Sequence, residues 1–121
     1  MAHATRRPDR VAEGIREVVA TFLAEEVKDP RITGLVTVTG AEVTRDLRHA
    51  RVFVTVMGSE TERAETFEGL THMAPHLRSR VGRALRLRLA PEITFRPDES
   101  VAYAARIEAL LQQTRQPNDT T

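Results

Sequence analysis

Apolar side chains recur along this chain with two different periods, and the switches between them mark its elements. Over residues 9–27 they return every third or fourth position, so Val11, Ile15, Val18 and Phe22 share a narrow arc of a helical wheel, broadened by Val19 and Leu23. The opposite face carries Glu13, Glu17, Glu25 and Glu26. Asp9 stands where an N-cap belongs, and Lys28-Asp29-Pro30-Arg31 stops the helix, because a residue before proline disfavours helical geometry. Residues 1–8 show no period and read as a flexible N-terminal arm. The period then drops to two. Leu35–Val43 and Arg48–Met57 are rich in valine and threonine, with Val52, Val54 and Val56 on one face of the second strand against Arg51, Phe53, Thr55 and Met57 on the other. Thr44 to Leu47, between them, suit a hairpin turn and predict antiparallel pairing. Gly40 inside the first strand predicts a bulge or bend.

Helical spacing returns at 61–74, capped by Ser59 or Thr61, with Ala64, Phe67, Leu70 and Ala74 inward. Pro75 interrupts this pattern, and Leu77, Val81, Ala84 and Leu85 resume it over 75–89. Proline disfavours helical geometry at Ala74 yet is a good first residue of a new helix, which predicts two helices joined at a kink of Ala74, Pro75 and His76. Pro91 leads into a strand at Glu92–Arg96, and Ser100 caps a last helix over 100–113 with Val101, Ala104, Ile107 and Leu111 inward. Residues 114–121 are polar and read as a flexible tail. The expected order is α-β-β-α-kink-α-β followed by a C-terminal helix, an α+β fold in one domain over 9–113. The long path between the second and third strands predicts that they run parallel. A three-stranded mixed sheet results, with helices on one face and the other partly open.

Charge adds what the pattern does not. The formal net charge of the 121 residues is only +1, but residues 76–96 hold Arg78, Arg80, Arg83, Arg86, Arg88 and Arg96 against the single acid Glu92. A near-neutral chain with one concentrated arginine block can hold a polyanion on one face. On a helix over 75–89 that packs Leu77, Val81, Ala84 and Leu85 inward, Arg80, Arg83 and Arg86 project outward with Ser79, and Arg78 lies at the border. A single-sign face of this kind matches a nucleic-acid footprint. The competing reading is a solvated helix whose last turn complements its own dipole. A new helix starting at Pro75 would also expose the N–H groups of His76, Leu77 and Arg78 to phosphate. Arg45, inside the hairpin turn, and Arg48, just after it, complete the candidate RNA contacts. Base stacking is expected to contribute little, since the chain has four Phe, one Tyr and no Trp, and Phe53 alone points outward from the long strands.

The absence of cysteine excludes a disulfide scaffold, thiolate metal ligands and thiol chemistry. His72 and His76 are spaced one turn apart but with Pro75 between them and no metalloprotease glutamate, so no metal site is expected. There is no glycine-rich phosphate loop, and Asp29, Asp46 and Asp98 fall in turns where aspartate bonds its own backbone. No enzyme and no cofactor are expected. No apolar run approaches the ~18 residues of a membrane span, and Met1–Pro8 lacks a signal-peptide apolar core, so the reading is a cytoplasmic protein without a membrane partner. An arginine-faced small domain gives no reason to expect more than a monomer. The reading from another class is a protein-interaction module, using the open sheet face or the acidic face of the first helix.

Several segments together resemble the ribosome-binding factor A family: Arg10 to Ile15, Asp29-Pro30-Arg31-Ile32, the strand Val36–Val43, Thr44-Arg45-Asp46-Leu47, Arg83 to Arg88, and Pro91 to Phe95 followed by Asp98. The resemblance spans residues 8–112. It implies a type II KH-like fold, in agreement with the element order. It further implies a non-catalytic assembly factor that binds the free small (30S) ribosomal subunit and its 16S rRNA and assists late rRNA maturation and processing. A ribosome-associated GTPase is the implied partner for release. In that family an Ala-x-Gly kink joins the two helices; here Ala74 is followed by Pro75 and then by His76 in place of the glycine.

Overall fold

The computed structural model describes residues 3–25, 32, 35–100, 104 and 108–112. Its elements are α1 (His3–Glu25), β1 (Leu35–Val43), β2 (His49–Met57), α2 (Glu60–Ala84) and β3 (Glu92–Pro97), with helix again at 99–100, 104 and 108–112. The sheet order is β1-β2-β3, with β1 antiparallel and β3 parallel to β2, as the strand patterns and connection lengths require.

The hairpin follows its alternation residue by residue. Val38 pairs with Val54 and Ala41 with Val52, and the register slips between Val38 and Gly40, which makes Thr39 the extra residue of a bulge. The turn closes through Leu47 N–H on the Thr44 carbonyl at 2.9 Å, with Leu47 itself in the left-handed region (φ 60°). Ala50, Val52 and Val54 are buried on one face of β2, while His49, Arg51 and Met57 on the other are exposed. Both long helices pack on the valine face. Ile15 and Val19 of α1 and Leu70, Leu77 and Val81 of α2 are fully buried there, with Ile93 and Phe95 of β3 completing the core. The inward stripe of α2 is rotated from the expected one: Ala64 and Ala84 are exposed, and Phe67 and Ala74 only half-buried.

One helix replaces the expected pair. α2 continues through Pro75, so the kink at Ala74, Pro75 and His76 does not separate two helices, and the N–H groups of His76, Leu77 and Arg78 lie inside a helix rather than at a fresh N-terminus. Magnitudes explain the outcome. An interior proline costs ~3 kcal/mol. Leu70, Met73, Leu77 and Val81 stay in phase on one core only if the helix persists, and each buried side chain of this size contributes ~1.5–3 kcal/mol. Packing wins. At the start of α2, Ser59 is the cap. Its hydroxyl accepts from Glu62 N–H at 3.1 Å and its own N–H donates to Glu62 Oε1 at 2.8 Å, a reciprocal capping box.

Three other boundaries differ from expectation. α1 begins at His3, not Asp9, and holds Pro8 within it, so residues 3–8 are helical rather than an arm. The period gave no sign of this because Arg7, Asp9 and Arg10 are exposed and cover no core. α2 stops at Ala84 rather than near 89. The last helix is capped by Asp98 instead of Ser100: Asp98 Oδ1 accepts from Ser100 N–H at 3.0 Å. Its expected inward positions Ala104 and Leu111 are exposed. Val101 and Ile107, the tail 114–121 and residues 1–2 lie outside the described residues. No helix among the described residues is long and apolar enough to cross a membrane.

Candidate nucleic-acid interface

The end of α2 is where the arginines gather. Leu87 N–H donates to the Gly82 carbonyl at 2.9 Å and Arg86 N–H to the Arg83 carbonyl at 3.3 Å, the paired bonds of a Schellman ending. The position that glycine usually fills in this motif is taken by Arg86, with φ 54°. A side chain there is strained, as at Leu47 in the hairpin turn. Replacing Arg86 by Gly should raise the melting temperature by roughly 2–5 °C, because the strain is relieved. The same change should weaken binding to an RNA polyanion about tenfold, the worth of one charge-assisted contact. Calorimetry and a binding titration on the one variant check both signs.

Two loops and a helix start converge at this end. Glu92 N–H donates to the Arg48 carbonyl at 2.8 Å, which ties the Arg45/Arg48 turn to the loop that carries Arg86 and Arg88. α1 arrives there too. Gly14 packs so closely on Leu85 that an added Cβ would fall 2.9 Å from its Cδ2, and Asp9 and Ala12 line a shallow pocket with Thr44 and His49. Arg7 and Arg10, exposed on α1, therefore belong to the same end of the domain. Nothing along the sequence signals this, since residues 1–8 read as an arm and Arg10 enters only as a family marker.

Three acids at this end have partners close by, while Asp9 of α1 is exposed there as well. Glu42 pairs with Arg51 at 3.3 Å, and Glu92 Oε1 stands 3.4 Å from the His49 ring nitrogen Nδ1. Asp46 accepts from the Thr44 hydroxyl at 2.6 Å and from Arg48 N–H at 3.1 Å, which hold its carboxyl below the ordinary aspartate value. Among the described residues, Arg45, Arg48, Arg83, Arg86 and Arg88 are exposed and none is within ion-pair reach of a carboxylate. The opposite end of α2 carries Glu60, Glu62, Glu65 and Glu68, so the domain is electrically polar along this helix. Complementing the helix dipole accounts only for Arg83, the one basic residue of the last turn. The other four lie off the helix.

Not every predicted contact stands free. Ser79 and His76 are exposed on α2 beside Arg83, as expected. Arg78 is exposed at the border, but its Nε donates to the Ala90 carbonyl at 3.0 Å and so braces the loop before β3. Arg80, expected to project outward, is instead half-buried with its guanidinium 5.4 Å from the centroid of Phe22. The wheel placed it opposite the sheet, and α1 covers that side.

Pro75 marks a feature that the sequence pattern does not reveal. It lines a cleft of about 610 Å³ between α2 and the outer edge of β3, together with Thr71, Ala74, Arg78 and the strand residues Glu92 to Phe95. Because proline brings no N–H, the helical bond to the Thr71 carbonyl cannot form beside this cleft. His72 and His76 do stand one turn apart on a continuous helix. Among the described residues, however, no group of three or more His, Asp or Glu side chains is placed to hold a metal ion.

An α+β domain of the type II KH-like class, with one strongly basic end, is what these elements define. The chain belongs to the ribosome-binding factor A family, whose sequence profile matches residues 7–111. It is 64% identical over 110 residues to the ribosome-binding factor A of Gemmatimonas aurantiaca, covering 91% of this chain and 75% of that one. The crystal structure of ribosome-binding factor A from Thermus thermophilus superposes with a TM-score of 0.65 at 21% identity, over 74% of this chain and 93% of that one. A second set of Thermus thermophilus coordinates for that factor, fitted into a cryo-EM map of its complex with the 30S subunit, matches with a TM-score of 0.60 at 22% identity, over 74% of this chain and 92% of that one.

Proposed function

We propose that this protein binds the free small ribosomal subunit by its 16S rRNA and assists late maturation and processing of that RNA, through binding alone. The observation that carries the reading is the convergence of Arg45, Arg48, Arg83, Arg86 and Arg88 at one end of the domain, where Glu42 is paired with Arg51 and Asp46 accepts from Thr44 and from Arg48 N–H. Phosphate is the partner such planar forks recognise best. Family membership, and the 30S complex described for the Thermus thermophilus protein, favour the ribosome as the source of that phosphate. The protein acts in the cytoplasm as a monomer, and a ribosome-associated GTPase is the partner that releases it.

Titration of purified protein against free small subunits at several salt concentrations tests this. Five phosphate contacts give a slope of about −3.5 to −4.5 in the logarithm of affinity against the logarithm of salt. A salt-independent interaction, or one that survives nuclease digestion of the subunit, would instead support docking on a ribosomal protein.

A further inference from the structure

We infer that the imidazole of His76 is a stacking platform for one unpaired nucleobase of the bound RNA, a contact separate from the phosphate contacts of the arginines. The inference rests on the rRNA-binding reading above and deepens it. His76 is exposed, and its ring packs against that of Phe22 with centroids 5.5 Å apart and planes inclined by 52°. Phe22 is itself held on the other side: it is 7% exposed in the core, with the Arg80 guanidinium 5.4 Å from its ring. A surface histidine normally loses rotamer freedom when a ligand arrives, but packing on Phe22 has already ordered this one.

Placement supports the same conclusion. Residues 76, 79 and 83 fall on one exposed stripe of α2, and Arg83 lies two turns from His76, about 10 Å along the axis. A single strand that lays a phosphate on Arg83 therefore brings a neighbouring base within reach of the imidazole. Stacking suits an RNA ligand because every base has a π face, and among the described residues the sheet face away from α1 and α2 offers Phe53, half-buried, as its aromatic ring.

The test uses the full chain with a short single-stranded RNA of mixed sequence, the same RNA made abasic, and free small subunits. His76→Ala is expected to lower affinity for the mixed RNA about tenfold, the size of one base stack, and to leave the abasic RNA unaffected. The salt slope should not change, since no phosphate contact is lost. His76→Phe should retain affinity. His76→Leu, which keeps an apolar contact with Phe22, should fall with the alanine variant. Full binding by His76→Ala, alongside weakened binding by Arg83→Ala, overturns the stack. Rescue by His76→Arg with a steeper salt slope also overturns it and makes the residue a phosphate contact. If Arg83→Ala binds as well as the parent on every RNA, the rRNA reading fails and the stack falls with it.

Discussion

Replacing Arg83, Arg86 and Arg88 together by Ala lowers affinity for the free small subunit at least a hundredfold and leaves the fold intact. Each charge-assisted contact is worth ~1.5 kcal/mol, about tenfold, and three such losses in one patch combine less than additively. The logarithmic salt slope should flatten by about 2 to 3. The fold survives because all three side chains are exposed and none has an ion-pair partner among the described residues. Arg80 differs from these three. Its contact with Phe22 means that alanine there would disturb the seam between α1 and α2 as well as any RNA contact. Titration against subunits, with a thermal melt on the same sample, reads both quantities. Parent-like affinity with a parent-like melt would remove these arginines from the interface.

Val54→Asp abolishes cooperative folding. Val54 is fully buried in the central strand, paired with Val38 of β1 and part of the core that the leucines of α2 complete. A carboxylate at that position has no partner and must either stay ionised in an apolar core or take up a proton, and each alternative costs several kcal/mol. The lost apolar burial adds ~1.5 kcal/mol or more. Domains of this size are stable by only ~5–15 kcal/mol, so the sum consumes most of the margin. Val54→Ala serves as the milder control, with a measurable fall in melting temperature and a retained transition. A cooperative melt of the aspartate variant within a few degrees of the parent would contradict the assigned core.

The hairpin was legible because its information is local. Alternation sets the faces of β1 and β2, Gly40 adjoins the bulge at Thr39, and the Thr44–Leu47 spacing closes the turn. Pro75 misled for a related reason. Its local penalty is plain in the sequence, whereas the in-phase burial of Leu70, Met73, Leu77 and Val81 that overrides it depends on a tertiary surface. The site divides the same way. Clustering of Arg83, Arg86 and Arg88 is visible along the chain. The arrival of Arg45, Arg48, Arg7 and Arg10 at the same end is produced by the Glu92–Arg48 bond and the Gly14–Leu85 approach, which no period encodes. Arg80 shows the converse limit, since a helical wheel gives an azimuth but not the neighbouring helix that covers it.

The most direct measurement is a density map of this protein on the free small subunit. The turn at residues 44–48, the loop at 85–91 and the outer stripe of α2 should face rRNA, with guanidinium density reaching phosphates, while Glu60, Glu65 and Glu68 point to solvent. A map in which that acidic end meets the RNA and Arg83, Arg86 and Arg88 stand in solvent would contradict the account.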